Sequence, residues 1–292
     1  MSRFYQQLTV QLLTLCVLLA NQILGLSVAE GQYLSREVRL ANVEKTFGDP
    51  PNLKRLSDKD RVWVDVQRHI VVVDGTIALR NGQLEMFACP VGTKEHESVV
   101  GLFAKAHTVH AALLAAGAKT GKPVQWEPKF ESPTGSEIEI RALWFDASNQ
   151  KQSIDARQWV RQFGKEGKAL EVNWVFAGSS FWKDPDSGEE RYMAESGDLV
   201  CLSNFSTATL DVPMRSSQAN SGLLFTAYTD RIPPEGTPVR LVFKVVQPAT
   251  NAAASAAPNP TPPPASNAQS TESVDLLTSP KTPPAQPKPN GK

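Results

Sequence analysis

The side chains best suited to chemistry are concentrated in one short segment, residues 89–98. It combines a thiol, an ammonium group, carboxylates, an imidazole and a hydroxyl, and it connects a strand-like run to a helix-like run. Side chains can converge on loops that rigid elements position. A thiol nucleophile needs a histidine as base and a carboxylate to orient that histidine. Cys89, His96 and Glu97 are therefore catalytic candidates, and the alternative is a core cysteine beside a solvated turn.

Two further histidines, His107 and His110, lie within residues 102–116, where apolar side chains recur at helical spacing. Residues three apart share one face of a helix, so both imidazoles can reach one metal ion, with His96 or Glu97 as a third ligand. The His-Glu-x-x-His order of many zinc enzymes is absent. The alternative is that both imidazoles are hydrogen-bonded structural groups, and the sequence leaves both interpretations open.

Cysteine usage limits the redox chemistry of the chain. Cys16 lies in an apolar N-terminal run, which leaves Cys89 and Cys201 for the rest of the protein. These two can form a disulfide in an oxidising compartment, and the alternative is two separate buried thiols. Two thiolates fall short of the four that an ordinary iron–sulfur cluster needs. We therefore predict no cofactor and no iron–sulfur cluster.

The N-terminus has the pattern of an export signal. A basic residue, Arg3, precedes an apolar run at 8–20, and the small residues Ser27 and Ala29 frame a cleavage position. A retained membrane anchor is the alternative, but the run is shorter than the roughly 20 residues of a spanning helix. We predict cleavage after Ala29, no integral membrane segment in the mature chain, and a periplasmic or extracellular location.

Charge and composition divide the remaining chain. Thirty basic and thirty acidic side chains cancel, so no net field favours nucleic acid as a partner. Residues 248–292 hold half of the 22 prolines, and this Pro/Ala/Ser-rich composition predicts a disordered tail without packing contacts, either a spacer or inert. The predicted organisation is a signal peptide at 1–29, a lead-in segment at 30–52, one domain at 53–247 and the tail.

Apolar runs separated by turn residues predict a domain rich in strands. Residues 137–145 alternate charged and apolar side chains, as a half-buried strand does, and the pair Asp74 and Gly75 is typical of a tight turn. Residues 102–116 are the clearest helix, with shorter helices predicted near 38–45 and 155–163. We expect one α+β domain with a mainly antiparallel sheet and one or two helices. Further strands are predicted at 61–66, 69–73, 76–79, 84–88, 174–177, 199–202, 223–228 and 239–246.

Four sequence segments carry a family resemblance. Residues 84–90 and 92–98 read LEMFACP and GTKEHES, residues 174–179 read WVFAGS, and residues 232–239 read IPPEGTPV. Together they resemble the YdjY-like domain family of exported, largely uncharacterised bacterial proteins, over about residues 53–246. The resemblance implies an exported protein and supplies no catalytic residue. Some members of that family carry ferredoxin-like names, which the cysteines of this chain do not support.

Aromatic side chains are the remaining functional signal. The chain has six tryptophans, most of which we expect in the core, and Trp182 is the best candidate for exposure because charged and turn-forming residues follow it. The leading hypothesis is an envelope binding or accessory module rather than an enzyme, with an unknown envelope protein or ligand as partner. The alternative is a metal-binding protein, or a cysteine-dependent redox or hydrolytic protein, that uses the region from Cys89 to His110.

Overall fold

Apolar and β-branched residues dominate the strands of this protein, as is typical of strands. Most of these strands join one sheet. The computed structural model describes residues 34–164, 167–218, 222–247 and 276. Its α-helices are α1 (Arg36–Phe47), which confirms the helix predicted near 38–45, and α2 (Ala106–Ala115). The strands are β1 (Lys54–Arg55), β2 (Val62–Asp65), β3 (Ile70–Ile77), β4 (Met86–Pro90), β5 (Ser98–Leu102), β6 (Glu137–Phe145), β7 (Lys151–Asp155), β8 (Val160–Gln162), β9 (Trp174–Phe176), β10 (Phe181–Lys183), β11 (Glu190–Tyr192), β12 (Val200–Cys201), β13 (Leu210–Asp211), β14 (Phe225–Ala227) and β15 (Pro238–Val245).

Eight strands close into a barrel. Their order is β3, β15, β6, β9, β13, β12, β4 and β5, and β5 pairs back with β3. The pairs β4–β5 and β12–β13 are parallel, whereas the long pairs of β15 with β3 and β6 are antiparallel. A single domain, mostly of strands with two helices, confirms the coarse prediction. A mainly antiparallel sheet is only partly correct, because two parallel pairs take part in the closure.

Barrel closure depends on a glycine in the middle of β3. Gly75 lies opposite Leu102 of β5 and Val239 of β15, and a Cβ atom on it would collide with the carbonyl oxygen of Gly101. Glycine in a strand allows another backbone to approach this closely. The predicted turn at Asp74 and Gly75 is therefore wrong, since both residues lie inside one continuous strand.

Strand β3 separates two apolar clusters. Val71 and Val73 belong to the main core, whereas Ile70 and Val72 belong to a second cluster. Successive residues of a strand point to opposite faces of the sheet, so β3 is buried on both sides. Helix α1 covers the second cluster, to which it contributes Phe47.

Two predicted helices differ from the structure in extent. The helix predicted at 102–116 begins only at Ala106, because the preceding residues pair with β3 and β4 as strand β5. The helix predicted at 155–163 is a short 3-10 helix, Ala156–Trp159, followed directly by β8. In both cases, residues that helical spacing alone would assign to a helix belong to a strand instead.

A buried ion-pair network lies beside α1. Asp74 accepts hydrogen bonds from Arg61 at 2.7 Å and from Arg240 at 2.6 Å, and the Gly48 carbonyl accepts one from each arginine. Buried charges are tolerated when they are paired and hydrogen-bonded. Arg240 also donates to the carbonyl oxygen of Leu276 at 2.6 Å, and Leu276 is buried. The expectation of a tail without packing contacts does not hold at this residue.

The two ends of the chain lie largely outside the described residues. This applies to the predicted signal peptide at 1–29 and to the tail at 248–292 except Leu276, so signal cleavage and tail disorder stay predictions. Within the described residues, no helix combines the length and the apolar character needed to cross a membrane.

Candidate functional site

One short segment, residues 192–198, contacts several of the polar residues that stand out in the sequence. It contains the 3-10 helix Met193–Ser196, which ends at Gly197 in the left-handed region with φ 131°. Glycine adopts this backbone conformation without strain, so the chain turns sharply at Gly197. Side chains before and after the turn contact different parts of the molecule. The resulting contacts are Tyr192 with His110, Glu195 with His107, and Asp198 with Lys94.

Glu195 caps helix α2 and holds His107. Its carboxylate accepts hydrogen bonds from the backbone N–H groups of Ala106 at 3.3 Å and His107 at 2.9 Å. These donors have no partner within a helix, and a negative charge at a helix N-terminus is stabilising. The same carboxylate lies 2.5 Å from Nδ1 of the His107 ring. The imidazole is thus oriented by a carboxylate while half of it stays exposed.

His110 is a hydrogen-bonded residue of an aromatic cluster. Its ring meets the rings of Phe176 and Tyr192 edge-on, at centroid distances of 4.9 and 5.3 Å. Its Nδ1 lies 2.8 Å from Oη of Tyr192, which in turn lies 2.9 Å from Oγ1 of Thr209. Burial lowers the pKa of His110 and raises the pKa of Tyr192 to about 12. Both groups are therefore neutral near pH 7, which fits the structural interpretation of this histidine.

Lys94 is surrounded by carboxylates. Its Nζ lies 3.0 Å from Asp198, 3.8 Å from Glu97 and 3.9 Å from Glu85, and 4.7 Å from the centre of the Phe205 ring. Burial alone would lower the pKa of Lys94, but the carboxylates, Asp198 first, raise it above its usual value. Burial and the neighbouring Glu97 raise the pKa of Glu85. The ammonium group thus balances a partly buried cluster of acids.

Cys89 and Cys201 are free, fully buried thiols. Their strands β4 and β12 are paired, but Cys201 lies opposite Met86 rather than Cys89. Burial raises the pKa of Cys89 to about 11 and the pKa of Cys201 well above its usual value. Because the thiolate is the nucleophile, such thiols are inert. The structure therefore agrees with the interpretation of two separate buried thiols, and no disulfide joins them.

His96 does not meet the other two histidines at a metal site. Its side chain is 77% exposed, and a Glu97 oxygen lies 3.9 Å from its Nε2 atom. His107 and His110 do share one side of α2, as their spacing predicts, but each is held by a different partner. Among the described residues, no three His, Cys, Asp or Glu side chains are arranged to hold a metal ion.

An exposed aromatic hairpin lies next to His107. Strands β10 and β11 pair with each other and not with the barrel. Phe181 is 63% exposed and Trp182 is 44% exposed, which confirms the expected exposure of this tryptophan. Adjacent large apolar side chains that remain in water are typical of interaction sites.

The hairpin and the N-terminus of α2 enclose an open cavity of about 560 Å³. This lies within the range of roughly 300–1,000 Å³ that is common for ligand sites. The rings of Phe181 and Tyr192 have their centres 5.1 Å apart and supply the apolar part of its lining. The complete lining is His107, Phe181, Glu190, Arg191, Tyr192 and Glu195.

Most residues that line this cavity belong to no recognisable sequence motif. The one available signal is the run Asp-Pro-Asp-Ser-Gly at 184–188, which has the composition of a turn and separates β10 from β11. In the structure Asp184 accepts hydrogen bonds from the backbone N–H groups of Asp186 and Ser187. Reading this run as a hairpin turn would have paired Phe181 with Tyr192, but no local pattern marks Glu195.

The comparison with known families describes the same part of the chain. The model of the YdjY domain matches residues 62–244, well over half of the 292 residues. The chain belongs to the YdjY domain family. The match runs from β2 nearly to the end of β15, so the barrel, α2 and the aromatic hairpin are all parts of the YdjY domain. No curated protein and no solved structure is significantly similar to this chain.

Proposed function

We propose that this YdjY domain is an exported binding module of the cell envelope, with the aromatic hairpin and the adjacent cavity as its ligand-binding surface. The observation that carries the proposal is the exposed Phe181 in the lining of a cavity of about 560 Å³, with the exposed Trp182 next to it in the same strand. Arg191 lies opposite Trp182 in the hairpin. Tryptophan, tyrosine and arginine supply much of the binding energy at protein interfaces.

The polar groups nearby support binding rather than covalent chemistry. Glu195 accepts hydrogen bonds from the helix N-terminus and contacts His107. His110 is partly buried with a lowered pKa, and Cys89 is buried with a raised pKa. A nucleophilic mechanism needs an accessible thiolate beside a base. The thiols of this domain lack that accessibility, whereas Phe181 and Trp182 of the hairpin are exposed.

The lining of the cavity indicates the chemistry of its ligand. Phe181 and Tyr192 offer apolar faces, Arg191 offers hydrogen-bond donors, and Glu190 offers acceptors. A few polar groups around an apolar floor orient a ligand and give it specificity. We therefore expect a ligand that presents an apolar or aromatic group next to hydrogen-bonding groups.

Export is supported by the N-terminal leader pattern, and the state of the cysteines is compatible with it. Both thiols are buried, and burial raises the pKa of each. Oxidation proceeds through exposed thiolates. These cysteines are therefore protected in an oxidising compartment without forming a disulfide.

Site-specific photocrosslinking in intact cells tests the proposal. A photoreactive phenylalanine analogue replaces Phe181 in the full-length chain, and in a matched control it replaces Phe163, which is 68% exposed outside this cavity. We expect a discrete adduct from position 181 and none from position 163, identified by mass spectrometry of the crosslinked chain. A second substitution, Arg191→Ser, should reduce the adduct severalfold. The same spectra report whether the mature chain begins at Glu30.

Two outcomes would contradict the proposal. Equal crosslinking from positions 163 and 181 would mean that the hairpin has no specific ligand. A chain that retains residues 1–29 in the cytoplasm would refute the exported location.

A further inference from the structure

The tail contributes one residue to an apolar groove between helix α1 and the barrel. Leu276 is 3% exposed there, although no strand or helix of the domain is close to it in sequence. Burial of a leucine side chain is favourable because it removes apolar surface from water. Leu276 belongs to a cluster of buried residues that includes Phe47 of α1, Trp63 of β2 and Val242 of β15.

A buried cation in this groove binds the backbone of the same residue. The side chain of Arg240 is fully buried; its Nε and Nη2 atoms donate to Asp74 and Gly48. Its Nη1 atom donates to the carbonyl oxygen of Leu276 at 2.6 Å, the one acceptor of this atom among the described residues. A buried charged donor without a partner is destabilising. The groove therefore recognises both a leucine side chain and a peptide carbonyl.

We propose that this groove is a peptide-binding site, and that its resident ligand is the segment of the tail around Leu276. The groove is separate from the cavity beside the aromatic hairpin, since the two share no residue. The interaction combines an apolar pocket with a charge-assisted hydrogen bond to the ligand backbone, as in other modes of short-peptide recognition.

The composition of the tail supports this choice of ligand. Between residues 248 and 292, the large aliphatic residues are confined to Val274, Leu276 and Leu277, and aromatic residues and methionine are absent. The rest is Pro, Ala, Gly, Ser, Thr, Asn, Gln and charged residues, with no large apolar side chain. An isolated apolar run in such a segment is typical of a short docking motif.

The covalent tether determines how strongly the segment competes with other peptides. Twenty-eight residues, 248–275, separate the last described residue of the domain from Leu276. Linkers of this kind give effective concentrations on the order of 1 mM. A free peptide therefore binds well only when the tethered leucine is removed.

The test uses the full-length protein with its own tail altered. Leu276→Asp places a charge in the apolar pocket, and the matched control Ala256→Asp places the same charge elsewhere in the tail. A fluorescent synthetic peptide with residues 270–280 is titrated against each protein, and binding is measured by anisotropy. A second peptide, with aspartate at the position of Leu276, controls for non-specific binding.

We expect the peptide to bind the Leu276→Asp protein at least tenfold more tightly than the wild type or the Ala256→Asp protein. The aspartate-containing peptide should bind none of them. The Leu276→Asp protein should also melt several degrees below the Ala256→Asp protein, since the cluster loses a buried leucine. Equal affinity of the peptide for all three proteins, or no binding to the Leu276→Asp protein, would overturn the proposal.

Discussion

Burial gives Asp211 an unusual protonation state. One carboxylate oxygen accepts hydrogen bonds from the Asn204 side chain at 3.0 Å and from the Val212 N–H at 2.7 Å. The other oxygen is buried and has no hydrogen-bond partner among the described residues. Burial raises the pKa of Asp211 to about 8. At neutral pH the residue is therefore largely a neutral acid, although its sequence position gives no sign of it.

The raised pKa predicts how the free energy of unfolding depends on pH. Between the usual value near 3.8 and about 8, the folded state binds this proton and the unfolded state does not. The free energy of unfolding therefore falls as pH rises through this interval, by on the order of 5 kcal/mol. Asp211→Asn imitates the protonated acid, so we expect it to remove most of this dependence and to stabilise the protein at pH 8.

Urea unfolding at several pH values checks this prediction, with Asp186→Asn as the control because Asp186 is exposed in the hairpin turn. The control should keep the pH dependence of the wild type. If Asp211→Asn and Asp186→Asn show the same slope between pH 5 and 8, Asp211 is ionised in the folded protein.

Residue types indicate which chemistry is available, but not which residues meet. The sequence singles out Cys89, His96, His107 and His110, and three of these four are in contact with partners far along the chain or buried in the core. The partners of His107 and His110 come from a segment more than 80 residues away. Spacing along one helix predicts the shared face of two histidines, whereas contacts between distant segments depend on the whole fold.

At the scale of elements, the closure of the barrel depends on small residues where β3 pairs with β5. Gly75→Ala would force a methyl group against the carbonyl of Gly101, which belongs to a strand backbone and cannot move away. Overpacking of this kind costs about 1–3 kcal/mol. We expect a loss of about 3 kcal/mol in the free energy of unfolding, measured by urea denaturation.

The neighbouring glycine provides the matched control. A methyl group at Gly101 would meet the end of the Glu95 side chain, which can move away only by giving up its ion pair with Arg39. Moving a side chain out of a partly exposed ion pair costs less than moving a strand backbone. Gly101→Ala should therefore destabilise the protein less than Gly75→Ala. If both substitutions have equal effects, the close approach of the two backbones is not what requires glycine in β3.

Local sequence patterns predict a strand well where charged and apolar residues alternate along it. They predict it poorly where contacts with other strands determine the backbone conformation. The strand predicted at 137–145 is confirmed residue for residue as β6, because charged and apolar residues alternate along it. The pair Asp74 and Gly75 has the composition of a turn, but Asp74 is needed as the partner of two arginines inside a strand. The extended conformation there is a consequence of tertiary structure, which overrides local preference.

At the scale of the whole molecule, one buried carboxylate connects parts of the chain that are far apart. Asp74 of β3 binds Arg61 ahead of β2 and Arg240 of β15, and these arginines bind the Gly48 carbonyl after α1 and the carbonyl of Leu276. Each of these residues looks ordinary in the sequence. Their assembly depends on the pairing of strands that are far apart in the chain, so sequence patterns alone do not reveal it.

Asp74→Asn should therefore destabilise the entire domain. The change leaves the buried guanidinium group of Arg240 without its carboxylate and leaves Arg61 with Asp49, 3.2 Å away, as its nearest one. Breaking a buried ion pair by removing one partner costs about 3–5 kcal/mol. The control Asp65→Asn removes the carboxylate of a partly exposed pair with Arg68, 2.7 Å away, which is worth at most about 1 kcal/mol. Urea unfolding gives both losses, and hydrogen exchange should show faster exchange of α1 amides in the Asp74→Asn protein alone. Similar losses for the two variants would mean that water or a local shift replaces Asp74, and that the network does not hold α1 and Leu276 to the barrel.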